Sequence, residues 1–440
     1  MATKASNSFS VGIGTAPTSS MPTVADELAT YTLWGWTIDA AANPAYNSAG
    51  TYVITNPDIH GDTESDDVWN YLQAYNRRTA GRDGYLQRAT AWRNYYVNGF
   101  EGSPEQANDE SFLYDHFYGW GLQQYATQFS DLGAATEALK ICTTLHDWWA
   151  AGGRSGGGNW PVAGSFDIAH YGHRGPARNL RTAVVVADAT SDPKAIELRD
   201  RLIDLWLQSP DWDNVNGMYW ASNDAMVSYN VAPPLVYANG DRAVSSFHIG
   251  LVAEAFFAAW LSPNVTPTRK TALKAKIIAM ATWMLHNGLD PTYRYCSDTL
   301  GIKNGGAGGA WWNYSLVPPV TDWDGSYTVS IVNLLVMAYK FTGDRNFLDA
   351  TPANNLYPAK YCFNRGTKNY FGSTTLREGP GGSTLTGVVG GGAGNENVAY
   401  HFVDTRFDTS TGNVYLYNNK GELQYTYLIF ENGGVPTVFP

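Results

Sequence analysis

Cysteine, charge and long apolar runs are all scarce in this 440-residue chain. Its three cysteines, Cys142, Cys296 and Cys362, lie far apart and show no Cys-x-x-Cys or Cys/His ligand spacing. That excludes a disulfide scaffold and a thiolate metal site, and leaves them as small buried hydrophobes. No run approaches the roughly eighteen apolar residues of a membrane-spanning helix. Residues 1–23, rich in Ser, Thr, Gly, Ala and Pro, lack the apolar core of a secretory signal and read as a flexible arm. The expectation is a soluble protein with no membrane partner, extracellular or virion-associated. Charged residues make up 16% of the chain, against roughly a quarter in an average domain. Acid exceeds base, with 40 Asp plus Glu against 29 Lys plus Arg, for a net charge of −11. A nucleic-acid partner is excluded on that balance, because neutralising phosphates needs a basic face. The Gly-rich stretches at 152–158 and 387–394 match neither phosphate-binding pattern, so no nucleotide cofactor is expected.

What the chain has in excess is flat rings and permissive backbone: 14% aromatic residues, including 16 Trp and 28 Tyr, with 45 Gly. A pyranose offers an apolar C–H face to a ring and hydroxyls to polar rims, so this composition suits a sugar-binding groove.

Helical periodicity begins near residue 24 and repeats one plan: an aromatic-rich apolar helix, a short Gly/Asp/Pro turn, then a more polar amphipathic helix. Residues 66–79 lead through Gly81-Arg82-Asp83-Gly84 into 85–97, and 111–129 lead through Ser130-Asp131-Leu132-Gly133 into 134–150. A third hairpin runs from Arg174 through Ser191-Asp192-Pro193 into 194–208, and a fourth from Val244 through the Pro263 turn into 268–287. The fifth, 327–341, turns at Thr342-Gly343-Asp344-Arg345. Residues 25–42 supply part of a sixth. The linking segments 151–173, 209–243 and 288–326 vary in length and hold the densest Gly, Trp, His and Tyr. All three join the second helix of one hairpin to the first of the next. In hairpins packed side by side around an axis they collect on one face, around the mouth of a central funnel. Residues 364–440 differ, with Gly-rich loops and alternating aromatic and polar residues flanking Asn418-Asn419-Lys420-Gly421, a β-hairpin signal.

The Thr342-Gly343-Asp344-Arg345 turn followed by Asn346-Phe347-Leu348-Asp349-Ala350, together with Ser246-Phe247-His248-Ile249-Gly250, resembles the internal pattern of the (α/α) toroid superfamily of carbohydrate-active enzymes. That superfamily includes six-hairpin glycosidases and toroidal polysaccharide lyases, and the resemblance spans about residues 66–363. It implies a mainly α fold, an (α/α)5–6 toroid of residues 24–363 with a small β element packed on it from 364–440. It also implies a polysaccharide substrate in the funnel.

Chemistry concentrates at Ser165–Gly175, where His170, Tyr171, His173 and Arg174 fall together as a Gly-rich loop enters a helix. Arg neutralises a carboxylate, and His and Tyr serve as base and acid. β-Elimination on a uronic acid needs those parts, so the leading expectation is a polysaccharide lyase. His248 and Tyr327, at the starts of the fourth and fifth hairpins, join the catalytic candidates, and Arg178 joins Arg174 in substrate binding. The alternative is a glycoside hydrolase, with Asp66 or Asp67 ahead of the first hairpin paired with Asp109 or Glu110 ahead of the second. Acidic residues in such places are also expected from helix capping alone. Trp160, Trp220, Trp311, Trp312 and Trp323, all in the long loops, are the expected sugar platforms. A third reading is a non-catalytic glycan-binding or virion-surface protein. Convergence of His170, His173 and Arg174 with the loop tryptophans separates it from the two enzymes.

Overall fold

A computed structural model describes residues 82–98, 119–153, 157–165, 173–220, 242–287, 299–302, 308–312, 328–349, 406–408 and 413–415, with 68, 69, 72, 75, 356, 358 and 359. The helices are α1 (Arg82–Asn98), α2 (Trp120–Phe129), α3 (Leu132–Ala150), α4 (Arg174–Thr190) and α5 (Pro193–Leu207). They continue with α6 (Ser246–Leu261), α7 (Pro267–Asn287), α8 (Thr328–Thr342) and the short α9 (Asn346–Asp349). Residues 68, 69, 72 and 75 are also helical and precede α1.

The pairs α2–α3, α4–α5, α6–α7 and α8–α9 are antiparallel hairpins, as the turn signals predict. The first helix of each packs on the first helix of the next, α2 on α4, α4 on α6 and α6 on α8. The second helices form a parallel series, α1 against α3, α3 against α5 and α5 against α7. Two concentric layers result, an arc of an (α/α) toroid. Sequence dictates which helix goes inside. In α4 every residue from Gly175 to Ala187 is buried, as an inner helix with neighbours on both sides requires. In α3 burial follows Ala134, Ala138, Ile141, Cys142, Leu145 and Trp149, a single helical face turned to the inner layer. None of the described helices is long and apolar enough to cross a membrane.

The turns repeat one device. Ser130 and Ser191 close α2 and α4 in the left-handed region (φ 56° and 57°), as Gly343 does after α8 (φ 71°). An aspartate follows each. Asp131 accepts from the Ala134 N–H, Asp192 from those of Lys194 and Ala195, and Asp344 from that of Asn346. Each carboxylate satisfies amides that the start of a helix leaves open.

Polar ties join neighbouring helices. Buried Asp188 near the end of α4 accepts from Ser262 Oγ at 2.9 Å and Asn264 Nδ2 at 2.8 Å, with Arg199 of α5 at 3.6 Å. Arg269 of α7 forms a two-bond pair with Asp204 of α5, at 3.0 and 2.6 Å.

The structure corrects several local expectations. Helix α1 begins at Arg82, so three of the four residues assigned to the turn at 81–84 are its first turn. The fourth hairpin starts with a strand, β3 (Arg242–Ser245), because those residues pair antiparallel with β4 (Thr299–Ile302), itself paired with β5 (Gly308–Trp312). This sheet draws on two different inter-hairpin segments that were expected to be plain loops. A two-residue ladder, β1 (Trp212–Asp213) with β2 (Met218–Tyr219), lies in the 209–243 segment. The C-terminal hairpin pairs β6 (Arg406–Asp408) with β7 (Asn413–Tyr415). The turn expected at Asn418–Gly421, like the arm at 1–23, lies outside the described residues.

Candidate functional site

Helix α4 carries arginines at 174, 178 and 181, the i, i+4, i+7 spacing that puts three side chains on one helix face. Arg181 shows which way that face looks. Its NH1 donates to Glu254 Oε2 of α6 at 2.9 Å, and both side chains are almost wholly buried (2% and 1% exposed). The same guanidinium lies 4.4 Å from the ring centre of Trp120 on α2 and 5.0 Å from that of Trp69. One cation thus meets side chains from three other inner-layer segments, which places the arginine face of α4 on the inside of the arc. The three arginines descend about 10 Å along the helix axis. Arg174 at the loop end is half-buried, Arg178 is 2% exposed, and Arg181 is closed off by a carboxylate and two indoles.

Gly119, just ahead of α2, explains how the inner helices come this close. Its N–H donates to Thr182 Oγ1 at 3.2 Å, and a Cβ there would lie 2.7 Å from Thr182 Cγ2.

His173 caps the loop end of α4 with φ 52°, an uncommon backbone for a residue bearing a Cβ. It is fully buried, stacked on Trp206 of α5 at 5.9 Å and 24°, with the Tyr219 ring at 6.3 Å. The His248 ring, from the first turn of α6, lies 6.2 Å away. Two histidines far apart in sequence therefore meet where neighbouring inner helices begin, next to the top of the arginine face. Tyr219 closes the cluster. Its hydroxyl donates to the Trp206 carbonyl at 2.6 Å, and burial, with a smaller contribution from the Asp211 charge, holds the phenol well above its ordinary range. Tyr219 is a neutral, committed donor.

The structure brings the His173 and His248 rings to 6.2 Å, with Arg174 next to His173 in the chain and Arg178 one turn further along α4. The half-buried Trp160 rests edge-on against His146 of α3 at 5.3 Å, with the Arg201 guanidinium of α5 at 5.5 Å, against outer-layer helices. Trp220 is 3% exposed, donates from Nε1 to Asp213 at 3.1 Å and meets Trp283 of α7 at 5.3 Å. Both rings pack against outer-layer helices. Trp311 and Trp312 lie on β5. His170, Tyr171, Tyr327, Trp323, Asp66, Asp67, Asp109 and Glu110 lie outside the described residues. The sequence reading missed Glu254, although a lone carboxylate within SFHIGLVAEAFFAAWL is itself a signal of a buried cationic partner.

Chemically, a guanidinium can bind a carboxylate in two-bond geometry, and an imidazole can take up or release a proton.

No protein-family model and no curated protein sequence matches the chain. Among solved structures it is similar to a glycosyl hydrolase family 88 protein from Bacteroides vulgatus. That match has a TM-score of 0.46 and 15% identity, and covers 87% of this chain and 93% of the other. It is also similar to a sugar epimerase from a ruminal bacterium, with a TM-score of 0.44, 13% identity, and 73% and 82% covered. A cellobiose 2-epimerase from Bacillus thermoamylovorans gives a TM-score of 0.46 and 11% identity, with 84% and 87% covered.

Proposed function

We propose that this chain is a carbohydrate-processing enzyme acting on a glycan that contains uronic acid. The supporting observation is the arginine face of α4: three guanidinium groups in register on the inner side of a helical arc, the deepest neutralised by Glu254 and the shallowest half-buried at the loop end. A pyranose carboxylate entering from the loop end meets Arg174 first.

The reaction this arrangement suits best is β-elimination. Arg174 neutralises the uronate carboxylate, which lowers the pKa of the C5 proton. An imidazole removes that proton, the electron pair forms the C4–C5 double bond, and the C4–O bond breaks. The leaving oxygen takes a proton from a tyrosine, for which Tyr171 and Tyr327 are the candidates. Since His173 is fully buried, its role in this reading is to position His248 by ring contact, and His248 or His170 removes the proton.

The test is incubation with a panel of uronate-containing and neutral polysaccharides, following ultraviolet absorbance of the conjugated double bond and, in parallel, reducing ends. Absorbance rising on uronate polymers alone is the expected result. Reducing ends without absorbance would replace elimination by hydrolysis, with Asp66 or Asp67 and Asp109 or Glu110 as the pair to mutate. Binding with neither signal would replace both by the glycan-binding reading.

A further inference from the structure

Asn-Gly is a dipeptide prone to spontaneous deamidation, because glycine puts no side chain in front of its own amide nitrogen. The chain contains six such pairs, and one of them, Asn216-Gly217, lies wholly among the described residues, at the turn between β1 and β2. That turn is at the surface. Val215 is 92% exposed and Asn216 partly so, and burial alone does not shield the pair from water.

Both groups that the reaction must move are held by one residue. Asp213 Oδ2 accepts from Asn216 Nδ2 at 2.7 Å, and the Asp213 carbonyl accepts from the Gly217 N–H at 2.7 Å. The other carboxylate oxygen, Oδ1, accepts from the Val215 and Asn216 N–H groups at 2.9 and 3.3 Å. Trp220 Nε1 donates to Oδ2 at 3.1 Å, which ties the carboxylate to the residue after β2. Gly217 is fixed from the other side as well: its φ is +68°, and a Cβ there would fall 2.8 Å from the Ala279 side chain of α7.

We propose that Asn216 is a latent modification site, a deamidation-prone amide that Asp213 locks for as long as the β1–β2 turn is closed. The inference is independent of the reading of the arginine face. In the reaction, hydroxide takes the Gly217 amide proton and the nitrogen attacks Asn216 Cγ. A C–N bond forms, the Cγ–Nδ2 bond breaks, and Nδ2 leaves as ammonia after taking a proton from water. Water then opens the cyclic imide at either carbonyl, giving aspartate or isoaspartate. The first step needs the Gly217 N–H free, and the attack needs the Asn216 amide turned toward that nitrogen. Asp213 withholds both. Once formed, a carboxylate at position 216 faces that of Asp213, and like charges at that distance oppose reclosure. The change is one-way, and it loosens the strand that carries Tyr219, which packs on Trp206 and His173.

The experiment is incubation of the full chain in mildly alkaline buffer, native and in guanidinium, with peptide mapping of the mass gain and of isoaspartate at each Asn-Gly pair. The other five pairs, in guanidinium, supply the intrinsic rate. Asn216 is expected to convert at that rate when unfolded and at least about tenfold more slowly in the native chain, since two hydrogen bonds must open first. Asp213→Asn puts an N–H where Oδ2 accepts, and should speed conversion of Asn216 severalfold in the folded protein. Native conversion as fast as that in guanidinium overturns the proposal. So does an Asp213→Asn protein, folded by its near-ultraviolet circular dichroism, that protects Asn216 as well as the parent does. If that variant does not fold, hydrogen exchange in the parent decides: a Gly217 amide exchanging as fast as in the unfolded chain shows that no lock exists.

Discussion

Two serines stand where the backbone favours glycine. Ser130 and Ser191 hold left-handed φ at the ends of α2 and α4, and their N–H groups donate to Ala126 and Ala187. Glycine keeps those bonds and removes the Cβ conflict. Ser130→Gly and Ser191→Gly should each stabilise the fold by about 0.5–1 kcal/mol, read as a higher melting temperature. The adjacent cap works the other way: Asp192→Ala should cost about 1 kcal/mol, measured by denaturant unfolding. Among the described residues, Asp131, Asp147 and Asp213 contribute stability that acid removes. At Asp131 and Asp213 burial tends to raise the carboxyl, and hydrogen bonds, from Arg93 and Ala134 in one case and Asn216 and Val215 in the other, more than offset it. At Asp147 the Lys194 hydrogen bond leads. All three end below the ordinary carboxylate range, so their stabilisation is complete above the unfolded pKa and is lost as pH falls through the lower folded value. Lys276 of α7 gives a slope of the same sign in a higher pH window. Its folded pKa, about 7, lies below the unfolded one, so between those values the unfolded chain binds a proton that the native state does not. Stability therefore rises with pH across that window. In Lys276→Met, melting temperatures recorded from pH 6 to 9 should lack that rise.

A buried ion pair joins the inner helices. Arg181 with Glu254, flanked by Trp69 and Trp120, connects four segments of the inner layer. Glu254→Gln leaves the guanidinium without its counter-charge and should cost roughly 3–5 kcal/mol. The double variant Arg181→Met with Glu254→Leu should recover much of that loss, because neither partner then buries a lone charge. Urea unfolding of the three proteins checks it. Gly119→Ala is a purely steric counterpart, since α2 must move off Thr182 to admit a methyl group. The outer helices depend less on single contacts. Each turns one apolar face inward, and ion pairs such as Arg269–Asp204 sit at their edges.

At the scale of the whole molecule, hairpin order places the loop ends of α4 and α6 side by side, and with them His173, His248 and Arg174. If the arginine face receives a uronate, Arg174→Ala should slow turnover of uronate polymers by about 10- to 100-fold. That corresponds to a charged hydrogen bond of roughly 1.5–3 kcal/mol, and neutral polymers give the control. The sequence by itself determined the helical hairpins and their turns at 130–133, 191–193 and 342–345. Those features follow from local signals: apolar periodicity over three or four turns, an aspartate that caps, a residue that tolerates positive φ. It also determined that arginines 174, 178 and 181 share a face, since helix geometry alone sets that spacing. Tertiary structure decided the rest. Trp160 and Trp220 are placed in long loops by the sequence, and only the fold shows which outer helices their rings pack against. Strand β3 pairs with β4 across about sixty residues, which no local pattern encodes. His173 meets His248, and Arg181 meets Glu254, only because neighbouring inner helices pack together. Contacts between distant segments depend on how whole elements pack, and local sequence specifies the elements alone.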